Sequence, residues 1–508
     1  MLILRSARRP ITNTPGGREA MIDWLASAAR SHPDALALLT DGRVWTYADL
    51  QAEVSALAGR MAAAGVKRSQ HVGVLMASGP EYVFVVHALA RLGAVIVPLN
   101  ARLTARELAW QVSMADCALL LHDEQYSSLA VAASEHTRAL SELPRAESCF
   151  AGPLVLDAVQ SIIFTSGTTG EPKGAQISFA AQFYSAAASS WRLGHHPDDR
   201  WLLCLPLYHV GGLNIVLRSC LYGSAIVLQR GFDPHAIWQA FAAQAVTLIS
   251  LVPIMLDRLL EARPDAAAPP ALRLVLLGGA AATPALIQRA QARAFPVALT
   301  YGLTEANSQV ATAPPEAVRR KPGSVGKPLM FTDVHIANES GAPLPAGQIG
   351  EIIVRGPTVM LGYYGQPDHP ALRDGSLHTG DLGYLDEDGD LWLVQRRSDL
   401  IISGGENIYP AEIEAVLREH PSVADVCVVG IDDPIWGQRP AAAIEIRPGA
   451  ALSQEALEAF VRERLAGYKV PRSVLFVEAL PRTASGKIAR PQVAALFGQQ
   501  FPPRSDAF

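Results

Sequence analysis

Between residues 165 and 174 the chain reads Thr-Ser-Gly-Thr-Thr-Gly-Glu-Pro-Lys-Gly. Four hydroxyls (Thr165, Ser166, Thr168, Thr169), three glycines (Gly167, Gly170, Gly174) and Lys173 crowd into this short stretch. Glycine has no Cβ, so backbone N–H groups can approach and converge on phosphate oxygens. The hydroxyls add donors and Lys173 adds charge, so the composition is that of an anion site. A mobile polar loop is the competing reading, and it does not account for the density of donors beside a lysine. The apolar run Ser161–Phe164 ahead of the loop puts it at the end of a buried strand. The segment lacks the glycine-lysine-serine/threonine ending of a Walker loop and contains no GxGxxG. Ordinary P-loop kinases and dinucleotide-dependent dehydrogenases are therefore disfavoured.

Four further residues have types suited to phosphate and carboxylate chemistry, although each alone admits a bland reading. Glu305 follows Thr304 in Tyr301-Gly302-Leu303-Thr304-Glu305. A carboxylate beside a triphosphate repels it unless a hard cation intervenes, and Mg²⁺ takes oxygen ligands and bridges phosphates. Asp381, in His378-Thr379-Gly380-Asp381, suits an Asx turn equally well. His209 follows the apolar stretch Leu205–Tyr208, where a lone histidine is usually structural, and Lys487 in Ser485-Gly486-Lys487 resembles an ordinary surface lysine.

The motifs acquire specificity as an ordered set. TSGTTGEPKG is followed by LPLYHVGG at 205–212, LLGGAA at 276–281, YGLTE at 301–305, GEIIVRG at 350–356, HTGDLGYLDEDG at 378–389, RRSDLIISGGENIYPAEIE at 396–414 and PRTASGKIAR at 481–490. This order resembles the adenylate-forming superfamily of acyl-CoA synthetases, luciferases and peptide-synthetase adenylation domains, over about residues 25–490. The resemblance implies ATP-dependent activation of a carboxylic acid as an acyl-adenylate, then transfer of the acyl group to CoA. It places the 165–173 loop on the phosphates, with Thr304 at the α-phosphate and Glu305 holding Mg²⁺. Tyr301 and the backbone around Gly279 and Ala280 would meet adenine, Asp381 the ribose hydroxyls, and Arg396 the ribose or phosphate. Lys487 would span the attacking carboxylate and the α-phosphate, offsetting the repulsion between two anions. His209 would line or gate the acyl tunnel.

The two half-reactions make different demands. The first needs Lys487 at the α-phosphate; the second needs it gone and a path open for the CoA thiol. A small domain swinging on a hinge satisfies both. The resemblance puts the hinge at Ser398, where the family often has Asp or Lys, and makes Gly404, Gly405 and Glu406 part of a second face, with Tyr468 and Lys469 near the CoA tunnel. For the acid, Asn307, Ser308 and Gln309 are candidate pocket donors, which suits an aromatic dicarboxylate better than an alkyl tail. Arg218, in the apolar run Gly212–Leu221, is a candidate partner for a second carboxylate. A snorkelling arginine on a helix edge is the alternative. Another aryl or fatty acid, a carrier-protein acceptor, and a catalytically inert relative stay open.

These residues need a scaffold with deep sheets. Helix-like segments such as Tyr47–Gly65 end in glycine and alternate with short apolar runs, for example HVGVLMA, AVIVPLN, AIVLQ, TLISLVP and LRLVLLGG. Apolar runs without polar alternation predict strands buried on both faces, with helices between them. The fold expected is α/β: a large N-terminal domain over 22–397 with a β-rich subdomain from about 330, and a small mobile α+β domain over 398–508. Residues 1–21 form a tail of uncertain role. With 508 residues, 49% hydrophobic and 18% charged, the chain is globular and long enough for several cores. A net charge of −5 without basic runs gives no support for a nucleic-acid surface. Five scattered cysteines suit a reducing, cytoplasmic setting, and no apolar stretch is long enough to span a membrane.

Overall fold

The computed structural model describes residues 20–500 apart from 22, 150–151, 166–171, 396–399 and 482–487. Two sheets dominate the N-terminal part. A six-stranded sheet runs in the order Lys173–Ser178, Val159–Thr165, Val95–Pro98, His71–Leu75, Cys117–His122, Thr137–Ala139. A nine-stranded sheet has Asp-poor central strands Leu36–Leu39, Arg200–Leu203, Ala225–Leu228, Leu248–Leu251, Leu274–Leu277 and Val297–Leu303, all paired in parallel. The expected parallel pairing is present; antiparallel strands close both edges of the nine-stranded sheet and one edge of the six-stranded sheet, whose other edge strand, Thr137–Ala139, pairs in parallel.

The burial pattern explains why these strands read as unbroken apolar runs. Trp201, Leu203, Leu248, Leu274 and Leu276 belong to one core, which also holds Val72, Val74 and Ile96 of the other sheet. The residues between them, Leu202, Ile249, Val275 and Leu277, belong to a second core beneath the helices Pro234–Ala243 and Pro253–Ala262. Successive side chains of a strand point to opposite faces, so both faces must be apolar when both are covered. Helices Tyr47–Ala63, Pro80–Leu92 and Val210–Tyr222 fill the space between the sheets. Helix Tyr47–Ala63 starts at a capping box of Thr46 and Asp49, and Val210–Tyr222 stops at Gly223 in the left-handed region.

The β-rich subdomain expected from about 330 is a five-stranded antiparallel sheet, from Asp333–Ala337 to Leu391–Gln395. Its last hairpin turns at Asp386–Asp390, where the Lys321 ammonium lies 2.7 Å from the carboxylates of Asp386, Asp388 and Asp390. The C-terminal unit is a further five-stranded sheet. Helices Pro410–Arg418 and Gln454–Arg462 pack on one face of it and helix Arg490–Gln500 on the other. Here too the strand Val423–Asp433 alternates, with Val426 and Val428 facing one core and Cys427 and Val429 the other.

Candidate active site

The carboxyl ends of the parallel strands converge on a cavity of about 420 Å³. Ser250 to Val252, Gly278 and Gly279, and Thr300 to Glu305 without Tyr301 form its walls, and His209 to Gly211 contribute the start of a helix. This is where an open α/β sheet offers its ligand crevice. The C-terminal unit closes it with Leu400, Gly404 to Asn407 and Tyr409. A second, smaller cavity of about 80 Å³ shares Thr165, Tyr208, His209, Thr304, Glu406 and Asn407, and is also lined by Asn100, Tyr468 and Lys469. Among the described residues the site thus has a main chamber and a smaller cavity beside it, each lined by residues of both units.

The strand before the glycine-rich segment does not lead into a helix. Val159–Thr165 pairs antiparallel with Lys173–Ser178, with Thr165 opposite Lys173, so the segment is the loop of a β-hairpin. Ser166, Gly167, Thr168, Thr169 and Gly170 lie outside the described residues, as do Arg396, Ser398 and Lys487. The two ends of the loop are in place. Thr165 lines the chamber, and its hydroxyl lies 3.5 Å from Glu305 Oε1. Lys173 is buried, with Nζ 2.8 Å from His369 Nε2. Glu305 is buried in the chamber wall and accepts a 2.7 Å hydrogen bond from the Tyr363 hydroxyl. A fixed carboxylate facing the cavity fits an oxygen-seeking cation such as Mg²⁺.

Asp381 and Gly279 line the chamber, whereas Ala280 and Tyr301 are not on its wall. Tyr301 is buried behind it, and its hydroxyl donates a 2.7 Å hydrogen bond to Asp381 Oδ2. Thr304 lines both cavities. The turn that presents Thr304 and Glu305 doubles back through Asn307 at φ 51°, a left-handed conformation that asparagine tolerates. Gly302 makes that reversal possible, since a Cβ there would sit 1.7 Å from the Ser308 carbonyl oxygen.

The second face of the small unit is engaged. Glu406, 4% exposed, receives Arg102 Nη1 at 2.9 Å and the Tyr208 hydroxyl at 3.0 Å, and lies 3.2 Å from His209 Nε2. Burial alone would raise the Glu406 pKa, but His209, Arg102 and Tyr208 outweigh it and hold the group down at about 2. Lys469 is also buried, 2.7 Å from both Glu107 and Glu412. Burial opposes its charge, yet Glu412, Tyr468 and Glu107 raise its pKa above the ordinary lysine value. Glu107 also closes the capping box of helix Ala105–Met114 with Thr104. Arg102, Glu107, Tyr363 and His369 were not legible as site residues, since none belongs to a motif; only the three-dimensional pairing brings them in.

At the acyl end the sequence expectation divides. Ser308, Gln309 and Arg218 line the chamber, but Asn307 does not. Asn307 is fully buried, hydrogen-bonded to the side chains of Asn214 and Gln182, and serves as a strut. Arg218 is 3% exposed, which removes the snorkelling alternative. Its Nη1 reaches Gln309 Oε1 at 3.2 Å and Ser189 Oγ at 3.3 Å, and its Nε is buried without a hydrogen-bond partner. Among the described residues no carboxylate lies within ion-pair distance of it. Desolvation lowers its pKa from the ordinary arginine value.

Comparison with known proteins identifies this constellation. The AMP-binding enzyme family model matches residues 25–364, and the model of its C-terminal domain matches residues 412–487. The chain belongs to the AMP-binding enzyme family. Among its relatives in that family, the 2-succinylbenzoate–CoA ligases of Bacillus mycoides and Bacillus cereus are each 42% identical over 480 residues, covering 94% of this chain and 99% of theirs. Two structures of o-succinylbenzoate CoA synthetase from Bacillus subtilis are both 37% identical to this chain. The complex of a double mutant with a CoA product analogue aligns with TM-score 0.90, covering 94% of this chain and 99% of that one. The complex with the acyl-adenylate intermediate aligns with TM-score 0.73, covering 93% and 98%. A third, with ATP and a magnesium ion, also gives 0.73, covering 93% and 99%.

Proposed function

We propose that this family member is a 2-succinylbenzoate–CoA ligase of menaquinone biosynthesis, consuming ATP and releasing pyrophosphate and AMP. The observation that carries the choice of acid is the Arg218 guanidinium, buried in the chamber wall with no described carboxylate beside it. A buried charge is costly unless paired, so a second substrate carboxylate at this position completes the site. The stretches YGLTEANSQVAT, GSVGKPL and WGQRPAAA also resemble that ligase.

In this reading the substrate carboxylate attacks the α-phosphorus of ATP, forming the mixed anhydride and expelling pyrophosphate. Lys487 stabilises the charge gathering at that junction. Thr304 and the 165–173 loop orient the phosphates, while Asp381, steadied by Tyr301, takes the ribose hydroxyls and Arg396 assists. Glu305 would hold Mg²⁺, which neutralises phosphate charge. The CoA thiol then attacks the acyl carbonyl and AMP leaves. The unequal likeness to the two Bacillus subtilis complexes, together with Glu406 against His209, supports assigning the present arrangement to this second step. The division at 397/398, with Ser398 as the hinge, belongs to this reading. So does a cytoplasmic location, which suits five free cysteines. No described helix is long and apolar enough to cross a membrane.

The test is AMP release with CoA across 2-succinylbenzoate, benzoates and fatty acids. We expect kcat/KM for 2-succinylbenzoate to exceed the others by roughly a hundredfold, the value of a desolvated charge pair. A fatty acid or simple benzoate performing as well would refute the choice of acid.

Glu406 offers a separate prediction. Glu406→Gln removes the charge that receives Arg102 and faces His209 across the unit boundary. Thioester formation from supplied acyl-adenylate should slow by about tenfold, with adenylate formation changed by less than about twofold, since charge-assisted hydrogen bonds contribute roughly 1.5–3 kcal/mol. Equal slowing of both half-reactions would show that Glu406 is not specific to this arrangement.

A further inference from the structure

We propose that Thr312 and Gln309 form a hydrogen-bonded relay that presents a neutral acceptor to Arg218, keeping its guanidinium oriented and its charge uncompensated for the second substrate carboxylate. The inference rests on the 2-succinylbenzoate reading and extends it to Thr312, a residue that does not line the chamber. Thr312 is fully buried on strand Ser308–Ala313, opposite Thr300 of strand Val297–Leu303. Gln309 lies on the same strand and does line the chamber. Strict alternation sends side chains three apart to opposite faces. Here the pairing passes from Tyr301–Ala311 to Gly302–Gln309 and leaves Val310 over as a bulge, so the two side chains can meet. Arg218 reaches them from helix Val210–Tyr222, 91 positions away.

The directions of the hydrogen bonds carry the argument. The Thr300 hydroxyl donates to the Ala311 carbonyl at 3.0 Å and lies 2.8 Å from the Thr312 hydroxyl. A hydroxyl has one hydrogen. With that of Thr300 spent on a carbonyl, Thr312 donates to Thr300 and is left as an acceptor. Gln309 Nε2 fills that role, donating to Thr312 Oγ1 at 3.1 Å. The amide is thereby turned so that its oxygen, Oε1, faces Arg218 Nη1 at 3.2 Å. The other end of the relay demands the same orientation, because a guanidinium can only donate. The second acceptor of Nη1 is the Ser189 hydroxyl at 3.3 Å, which is also neutral. Neutral acceptors fix the guanidinium without cancelling its charge. A carboxylate at position 309 would pair with it and compete with the substrate. A neutral amide at this position, locked by Thr312, therefore sets the preference for an acid with a second negative charge.

The experiment uses the full-length enzyme and two acids: 2-succinylbenzoate, and its analogue carrying hydrogen in place of the carboxylate that is not activated. The readout is the ratio of their kcat/KM values, because a general packing defect affects both acids. Gln309→Glu should lower the ratio by about a hundredfold, chiefly through KM for 2-succinylbenzoate, as expected when an internal carboxylate takes the place of the ligand in a buried charge pair. Thr312→Val removes the hydroxyl with little change of shape and frees the amide to turn, so the ratio should fall by about fivefold. Thr312→Ser keeps the hydroxyl and should stay within about twofold of the parent ratio, on the same scale. An unchanged ratio in Gln309→Glu or Thr312→Val overturns the proposal, as does a loss shared equally by the two acids. A parent enzyme with no preference for 2-succinylbenzoate would instead refute the proposed acid, and the relay's role would fall with it.

Discussion

Replacing Lys487 with alanine is expected to slow acyl-adenylate formation by roughly a hundred- to a thousandfold, the usual cost of removing one preorganised charge-stabilising donor. The attacking carboxylate and the α-phosphate are both anions, so their approach is resisted throughout the reaction coordinate. An ammonium between them acts most strongly where the charges come together. The same variant should convert supplied acyl-adenylate and CoA to thioester at close to the parent rate. Lys487 lies outside the described residues, but its flanks are informative. Ala489 N–H donates to Pro481 O at 2.8 Å, and Ile488 packs with the Leu480, Val493 and Phe497 core. That core lies on the opposite face of the C-terminal sheet from the one carrying Ile408 and Ile413. None of the described residues from 472 onward lines the chamber. The split between half-reactions is measured by rapid quench with either ATP and acid, or acyl-adenylate and CoA, as starting material.

Arg218→Ala should raise KM for 2-succinylbenzoate by about a hundredfold, because truncating one member of a buried charge pair costs roughly 2–5 kcal/mol. For a benzoate lacking the second carboxylate, KM should change little. This comparison separates recognition from architecture. Arg218 also contacts Ser189 and Gln309 and lies 5.4 Å from the Trp201 ring, so a packing defect alone would affect both acids. Equal changes for the two acids would remove Arg218 from substrate recognition.

What could be read from the sequence followed the range of the interactions involved. Local chemistry was legible: the loop from Thr165 and the Thr304–Glu305 pair are each signalled within a few residues. The parallel sheets were legible because doubly covered strands must be apolar throughout. Long-range pairings were not. His369 meets Lys173 across 196 positions and Arg102 meets Glu406 across 304, and neither histidine nor arginine carries a local mark of its partner. Asn307 misled for a related reason. Its polarity suggested a pocket donor, but its left-handed backbone and its bonds to Asn214 and Gln182 make it a buried strut. Nor was the hydrogen bond from the Tyr301 hydroxyl to Asp381, across 80 positions, marked in either motif.

In this reading a single site completes two chemically distinct steps in sequence. The most direct measurement mixes the enzyme with ATP, Mg²⁺ and 2-succinylbenzoate in the absence of CoA, quenches, and then adds CoA to a parallel sample. A burst of enzyme-bound acyl-adenylate matched by pyrophosphate is expected, which CoA converts to thioester and AMP. Thioester formed with ADP and phosphate as the nucleotide products, or with no adenylate before CoA is added, would contradict it.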